Sequence, residues 1–320
     1  MTQLKVRVTS KAREAEGICS LELEASDGEA LPPFRAGAHV DLYLPGGLIR
    51  QYSLFGSPSD QRRYRVAVLL EANSRGGSRT VHENVNEGDV LTISQPRNLF
   101  PLVPSERTIL IAGGIGITPL MCMAEELTLE GRAYELHYCV RTADRAAFLD
   151  RLGSPPFAGN VHVHFDDVSG SQGPLDLDTL LARPSGDVHL YVCGPSGFID
   201  AVVETAKCQG WSSDNVHLEH FAAPATTQKE GDHAFEVRIA STGQVLVVPR
   251  EESVAQVLAK NGIDVPVSCE QGVCGTCVTG ILEGEPDHRD LCLTEAEQAA
   301  NDRFTACCSR ARGSLLVLDL

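Results

Sequence analysis

Lysine is scarce in this chain: only five of its 27 basic residues are Lys, scattered over 320 positions, and the formal charge is −16. Phosphate backbones and anionic membranes call for clustered Lys and Arg, so the balance argues against nucleic acid and against a polybasic membrane patch. No Gly-Lys pair occurs, hence no Walker A loop, and the His-Glu-x-x-His and Gly-x-Ser-x-Gly patterns are missing too. Long apolar runs are also lacking, with one exception to weigh. Thr108 to Ala124 is 17 residues without a charge, at the lower limit for a spanning helix. It contains Gly113, Gly114, Gly116 and Pro119, and reads instead as a buried strand, a glycine turn and the start of a helix. Met1-Thr2-Gln3-Leu4-Lys5 opens no apolar signal segment. A cytoplasmic enzyme is the expectation.

Cysteine, by contrast, is plentiful. Eleven residues, an odd number with no signal segment, point to reduced thiols, some of them metal ligands, rather than to a disulfide scaffold.

The first hundred residues read as antiparallel β. Leu4, Val6 and Val8 alternate with Lys5, Arg7 and Thr9, and Tyr64, Val66, Val68 and Leu70 repeat the pattern. Turn signals such as Pro45-Gly46-Gly47 separate the runs, which suggests a small barrel or sandwich. Beyond Pro104 short apolar runs alternate with helical stretches: Ile109–Ile111, Leu136–Val140, Val161–Phe165 and Val188–Val192. Thr118 is expected to cap one helix, with Pro119 at its first position, and Ser196 another that stops at Gly210. Strands alternating with helices imply a parallel sheet with a nucleotide site at its carboxyl edge. Ala222 to Asp232 reads as a linker. The remainder carries alternating Phe235, Val237 and Ile239, a short helix near Ser253 to Lys260 and a closing strand at Leu315 to Leu318. Three domains fit this order, 1–104, 105–223 and 224–320. Most of the ten histidines, His39 and His137 among them, sit in strand patterns and are expected to be structural.

Three motifs carry chemistry. Cys269-x4-Cys274-x2-Cys277 followed by a distant Cys is the plant-type [2Fe-2S] spacing. Gly272 and Gly275 permit the unusual backbone angles of a loop that turns its amides towards sulfur. A zinc site would want a second paired arm, which is missing; buried thiols without metal are the plainer alternative. Spacing leaves Cys292, Cys307 and Cys308 all open as the fourth ligand. The second motif is Arg50-Gln51-Tyr52-Ser53 with Arg75-Gly76-Gly77-Ser78. It holds the aromatic face and hydroxyl that a flavin ring on a barrel needs and the cation and amides that suit its phosphate, although a strand Tyr is more often just half-buried. The third is Gly113-Gly114-Ile115-Gly116-Ile117-Thr118-Pro119, echoed at Cys193-Gly194-Pro195. Both offer close backbone approach for a dinucleotide, or simply tight turns.

In this order the motifs resemble the phthalate dioxygenase reductase family over essentially the whole chain, with the vanillate demethylase and carnitine monooxygenase reductases as the nearer likeness. The resemblance implies a multidomain protein: an antiparallel β-barrel flavin domain, an α/β parallel-sheet nicotinamide domain and a β-grasp plant-type ferredoxin domain. It implies FMN, NADH and a [2Fe-2S] cluster as cofactors. Arg50, Tyr52 and Ser53 would contact the flavin and Gly76, Gly77 and Ser78 its phosphate. Gly113, Gly114, Thr118, Cys193, Gly194 and Pro195 would meet the nicotinamide cofactor, with Ser53 and Thr118 nearest the reacting atoms. Phe221, in Glu219-His220-Phe221, would pack on the flavin. The metal ligands would be Cys269, Cys274, Cys277 and, from a Cys-x-Ser-Arg context, Cys307; the doubled Cys307-Cys308 departs from the simplest form of that motif. The implied function is a reductase component that takes electron pairs from NADH and feeds them singly to a terminal oxygenase of the Rieske type. A flavin-free iron–sulfur carrier and an FAD-type reductase are the alternatives. The expected partnership is transient and steered by acidic residues, of which Ile281 to Asp302 holds seven against one Arg; the chain itself is expected to be a monomer.

Overall fold

The computed structural model describes residues 3–72, 76–167, 173–221 and 231–320. Arg75 and most of the expected linker, 222–230, lie outside them. The chain divides into two compact units, 1–221 and 222–320.

The first unit opens with strands β1 (Gln3–Ala15), β2 (Ile18–Ala25), β3 (Ala38–Leu44), β4 (Leu48–Phe55), β5 (Arg63–Leu69), β6 (Val90–Ser94) and β7 (Arg97–Asn98), with helix α1 (Gly77–Asn84) between β5 and β6. They pair in the order β4-β5-β2-β1-β6-β3-β7, and an added β3–β4 ladder closes the sheet on itself. Closure removes the free edges that an open antiparallel sheet would expose. The period-two reading is clearest in β1: Val6 and Val8 are fully buried between the more exposed Lys5, Arg7 and Thr9, and Leu21, Leu23, Tyr64 and Val66 are fully buried on the neighbouring strands.

A second sheet follows within the same unit: β8 (Arg107–Gly113), β9 (Ala133–Val140), β10 (Val161–Phe165), β11 (Val188–Gly194) and β12 (Val216–His220). All four ladders are parallel, in the order β10-β9-β8-β11-β12. Strand order reverses between β8 and β11, where open α/β sheets hold their ligands. Helix α2 (Ile117–Leu129) covers one face of β8, with Leu110 and Ala112 in its core; the helix Ser196–Cys208 covers the other, with Ile109 and Ile111. The run Thr108–Ala124 is thus a strand, a tight turn and a helix. No helix among the described residues is long and apolar enough to cross a membrane. Helix α2 is buried nearly all round because it also packs on β4 of the barrel. Cys122 donates to the Gly56 carbonyl at 3.3 Å, and buried Glu126 accepts from Arg35 Nε at 2.9 Å and from the Ala36 amide at 2.8 Å. One continuous core therefore joins barrel and sheet.

Two expected caps need correction. The chain enters α2 through a 3-10 turn at Gly114–Gly116, so Gly116 is the N-cap and Thr118 already lies inside the helix. Its hydroxyl donates backwards to the Ile115 carbonyl at 3.1 Å. Pro119 still falls in the first turn, where a missing amide proton costs no helical bond. Likewise Pro195 precedes the helix Ser196–Cys208, and Ser196 is its first residue.

The second unit contains β13 (Phe235–Ile239), β14 (Val245–Val248), helix α3 (Val254–Lys260), β15 (Val278–Glu283), β16 (Pro286–Asp287), helix α4 (Glu295–Ala300), β17 (Arg303–Thr305), β18 (Arg310–Ala311) and β19 (Leu315–Leu318). Its main sheet runs β14-β13-β19-β15-β17 with one parallel pair, β13 and β19. Helix α3 begins at a full capping box, Ser253 with Gln256, and buries Val254, Val257 and Leu258 in the core. Asp232, the last residue of the expected linker, is held by both Nη atoms of Arg289 at 3.0 and 2.5 Å.

Candidate functional site

In the second unit Cys269, Cys274 and Cys277 lie in the irregular stretch between α3 and β15, and Cys307 follows β17. The antiparallel pairing of β15 with β17 sets Val278 opposite Thr305, and the Ala306 amide donates to the Cys277 carbonyl at 3.2 Å. That register brings the distant Cys307 to the loop. Its thiol and those of Cys269, Cys274 and Cys277 stand close enough to shift one another's ionisation. Gly272 and Gly275 have φ of +75° and +65°, the left-handed backbone expected of a loop that folds back on itself. The Gln271 amide donates to Cys269 Sγ at 3.4 Å, the kind of contact that stabilises a metal-bound thiolate. The other two candidates point elsewhere: Cys292 Sγ lies 3.6 Å from Asp290 Oδ2, and Cys308 Sγ 3.0 Å from Thr305 Oγ1. Among the described residues no three metal-type side chains are spaced around one ion. The fit to a binuclear centre therefore rests on the all-sulfur donor set and the loop that gathers it.

In the first unit Arg50, Tyr52 and Ser53 share β4, opposite Leu42, Val40 and His39 of β3. Gly76, at φ +92°, starts α1. A Cβ on Gly77 would stand 2.5 Å from Arg50 Cγ, so the glycine lets the arginine lie across the helix start. Arg50, whose Nη1 donates to the Ile49 carbonyl at 2.7 Å, thus lies beside the start of a helix, where an anion is favoured. Ser78 Oγ accepts from the Glu71 amide at 3.2 Å. Tyr52 is half-buried, and burial pushes its hydroxyl pKa upward.

Glycines shape the neighbouring sheet edge. A Cβ on Gly116 would meet the Cys193 carbonyl oxygen at 2.2 Å, and one on Gly194 the Gly113 Cα at 3.0 Å. The ends of β8 and β11 thus meet glycine to glycine. Gly114, at φ +55°, has open space where a side chain would stand, and Thr118 is buried in the first turn of α2. At the end of β12, Glu219 pairs in register with Cys193, and Phe221 is 37% exposed.

Sequence reasoning passed over Glu219, noticing its segment only for the aromatic. Ser53 Oγ of the barrel donates to Glu219 Oε2 at 3.4 Å, across 166 residues. Part of the residue remains accessible, yet protein crowds its carboxyl, and burial pushes the pKa up to about 8 against the opposing bond from Ser53. A carboxyl protonated at neutral pH inside a cofactor-sized edge is an unusual thing to keep. The available signal was a lone acid at a strand end beside two rings. Because its folded pKa lies above the unfolded one, the native state holds more protons between about pH 4.5 and 8. Stability should therefore fall as pH rises through that window and level off above it. Thermal melts across pH 5 to 9 (a range of about four units) should show the slope in wild type and its flattening in Glu219→Gln. Equal slopes would mean that the carboxyl is already ionised.

Comparison with known proteins places these sites in company. Residues 237–312 match the model of the 2Fe-2S iron-sulfur cluster binding domain. A vanillate O-demethylase oxidoreductase of a Pseudomonas species is 54% identical over 99% of this chain and 100% of its own length. The carnitine monooxygenase reductase subunit of Escherichia coli is 43% identical over 99% of this chain and 98% of its own. A solved phthalate dioxygenase reductase, described as a modular structure for electron transfer from pyridine nucleotides to [2Fe-2S], is 37% identical with a TM-score of 0.77, covering 99% of this chain and 98% of that one.

Proposed function

This chain belongs to the phthalate dioxygenase reductase family, and from that premise we propose that it is the reductase component of a multicomponent oxygenase, passing electrons from NADH through FMN and a [2Fe-2S] cluster to a terminal oxygenase of the Rieske type. The observation that carries this reading is the gathering of Cys307 to Cys269 and Cys277 in a chain that also holds a barrel and a glycine-edged parallel sheet. When bound, the flavin accepts electrons in pairs and returns them singly, and the cluster takes one at a time. The segments 1–104, 105–223 and 224–320 serve as the flavin, nicotinamide and ferredoxin modules.

Arg50 and the first amides of α1, at Gly77 and Ser78, bind the FMN phosphate, with Gly76 setting the turn. Tyr52 lies along the flavin ring, and Ser53, tied to Glu219, orients a proton beside it. Gly113, Gly114, Cys193, Gly194 and Pro195 admit the nicotinamide cofactor to the backbone, Thr118 borders the reacting atoms, and Phe221 shields them from water. Cys269, Cys274, Cys277 and Cys307 hold the irons. Cys193 is fully buried, and burial pushes its thiol pKa well up, so it serves here as an uncharged wall.

NADH is favoured over NADPH by Asp166 and Asp167, both exposed at the end of β10; their amides bond to the carbonyls of Val140 and Arg141 at 3.1 and 3.2 Å. Two carboxylates there repel a 2′-phosphate more than Arg141 attracts it, and Arg145, the other cation after β9, lies 3.9 Å from Glu16. Acid extraction of the purified protein should release FMN together with about two irons per chain, and kcat/KM should favour NADH by at least about tenfold, some 1.4 kcal/mol. Iron without flavin, or a preference for NADPH, would overturn the corresponding part. Much of the acidic stretch is neutralised within the chain: Glu283 meets Arg238 at 3.1 Å, Glu285 meets Arg312 at 3.2 Å and Asp287 meets Arg289 at 2.6 Å. Steering of the partner then falls to Glu295 and Glu297 on α4, both in its first turn. Rising salt should slow reduction of the oxygenase while leaving dye reduction by NADH unchanged; insensitivity of both rates would remove steering from the account.

A further inference from the structure

Asp290 carries a carboxyl whose side chain is fully buried. It touches both parts of the chain that supply the proposed ligands. On the loop of the first three, a Cβ on Gly272 would lie 3.0 Å from Asp290 Cα and 3.1 Å from its Cβ, and the Leu291 amide donates to the Gly272 carbonyl at 2.9 Å. Beside the fourth, Ser309 Oγ, two residues past Cys307, donates to Asp290 Oδ1 at 3.4 Å. The other oxygen, Oδ2, accepts from the Leu293 amide at 2.9 Å and faces Cys292 Sγ at 3.6 Å. Donors thus stand at both oxygens, an arrangement that suits a carboxylate rather than a carboxylic acid.

Among the described residues no arginine or lysine pairs with it. Arg289, its neighbour in sequence, turns instead to Asp232 and Asp287, at 2.5 and 2.6 Å. His288 places Nδ1 3.4 Å from Asp290 Oδ1, but its Nε2 is buried with no acceptor among the described residues, and an imidazolium would need one. A buried charge without a cation costs stability; hydrogen bonds alone hold this one. Reduction adds one electron, and so one negative charge, to a cluster and its thiolates, and net charge is among the factors that set the potential. A fixed negative charge in a poorly screened interior opposes that gain. Resting on the ligand reading above, we propose that Asp290 is a positioning residue for electron transfer: its buried carboxylate ties the ligand loop to the segment that delivers Cys307 and keeps the cluster hard to reduce, hence ready to pass its electron on.

The test compares full-length protein loaded with flavin and iron against two variants. Asp290→Asn keeps the shape and removes the charge; Ser309→Ala keeps the charge and removes a donor from Oδ1. Iron and sulfide per chain are measured, and the oxidised-to-reduced ratio of the loaded clusters is read at equilibrium with a dye of known potential. Asp290→Asn should shift that ratio about tenfold towards the reduced form, equivalent to about 59 mV for a one-electron couple. The shift should persist at high salt, because a buried charge is little screened. Ser309→Ala leaves the charge less well satisfied and should move the ratio the other way, about threefold towards the oxidised form. A merely structural loosening gives no such reversal of sign. Where Asp290→Asn lowers the iron content, the ratio in the remaining clusters is still the readout; with none remaining, Ser309→Ala carries the comparison. An unchanged ratio in the loaded variants, or a shift of Asp290→Asn towards the oxidised form, overturns this inference and leaves the ligand reading standing. Wild-type protein that takes up no iron overturns the ligand reading itself.

Discussion

Cys307→Ser should purify with its flavin and without its cluster, at least about tenfold depleted in iron and acid-labile sulfide relative to wild type. Removing an outer partner of a metal ligand already costs about 10–100-fold in affinity, and this change removes a ligand. A serine oxygen is a poor substitute for thiolate at a soft iron–sulfur centre. Cys307 is the proposed residue because its thiol lies among those of Cys269 and Cys277, whereas Cys292 Sγ sits against Asp290 Oδ2 at 3.6 Å. Cys292→Ser should accordingly keep its iron. Dyes that accept directly from the flavin should still be reduced by NADH in Cys307→Ser, and acceptors served by the cluster should not. Retention of a full complement of iron by Cys307→Ser would show that the strand register after β17 was misjudged.

Much of the fold was legible because its period was plain. Val6 and Val8 alternate with polar neighbours and are buried; Leu136–Val140 and Val161–Phe165 set apolar residues around His137, His162 and His164 and became paired parallel strands. The cluster loop was legible for a different reason: three sulfurs and two glycines constrain the backbone locally, within nine residues. The fourth was not, since adjacent Cys307 and Cys308 differ only in which way each points, and that depends on the β15–β17 register. Thr118 misled because a Thr-Pro pair signals a cap, while the glycine turn before it had already begun the helix. Glu219 escaped for want of any local sign of Ser53. Their contact exists only once α2 has been buried between barrel and sheet, which the alternation of α2 could not announce because it is apolar on nearly all sides.

Gly116→Ala tests the sheet edge most severely. Its φ and ψ are −61° and −6°, ordinary helical values that any residue adopts, so alanine brings no backbone strain. Space alone forbids it. The new Cβ would stand 2.2 Å from the Cys193 carbonyl oxygen, 2.5 Å from its carbon and 2.8 Å from the Gly194 nitrogen. All three are backbone atoms, and no rotamer change can move them. Either the turn after β8 must lift or the end of β11 must drop, and each movement opens the gap where Gly113 meets Gly194. Overpacking of this kind costs about 1–3 kcal/mol or somewhat more, which for a unit of this size is a fall of several degrees in melting temperature, at about 2–4 °C per kcal/mol. The larger effect should be on the nicotinamide cofactor, whose proposed seat is that backbone: KM for NADH should rise by at least about tenfold, with flavin and iron contents unchanged. Gly186→Ala is the control, since no heavy atom lies within 4 Å of its would-be Cβ, and it should match wild type in both measurements. Were Gly116→Ala indistinguishable from Gly186→Ala in melting temperature and in KM, the close approach of β8 to β11 would not be what shapes this site.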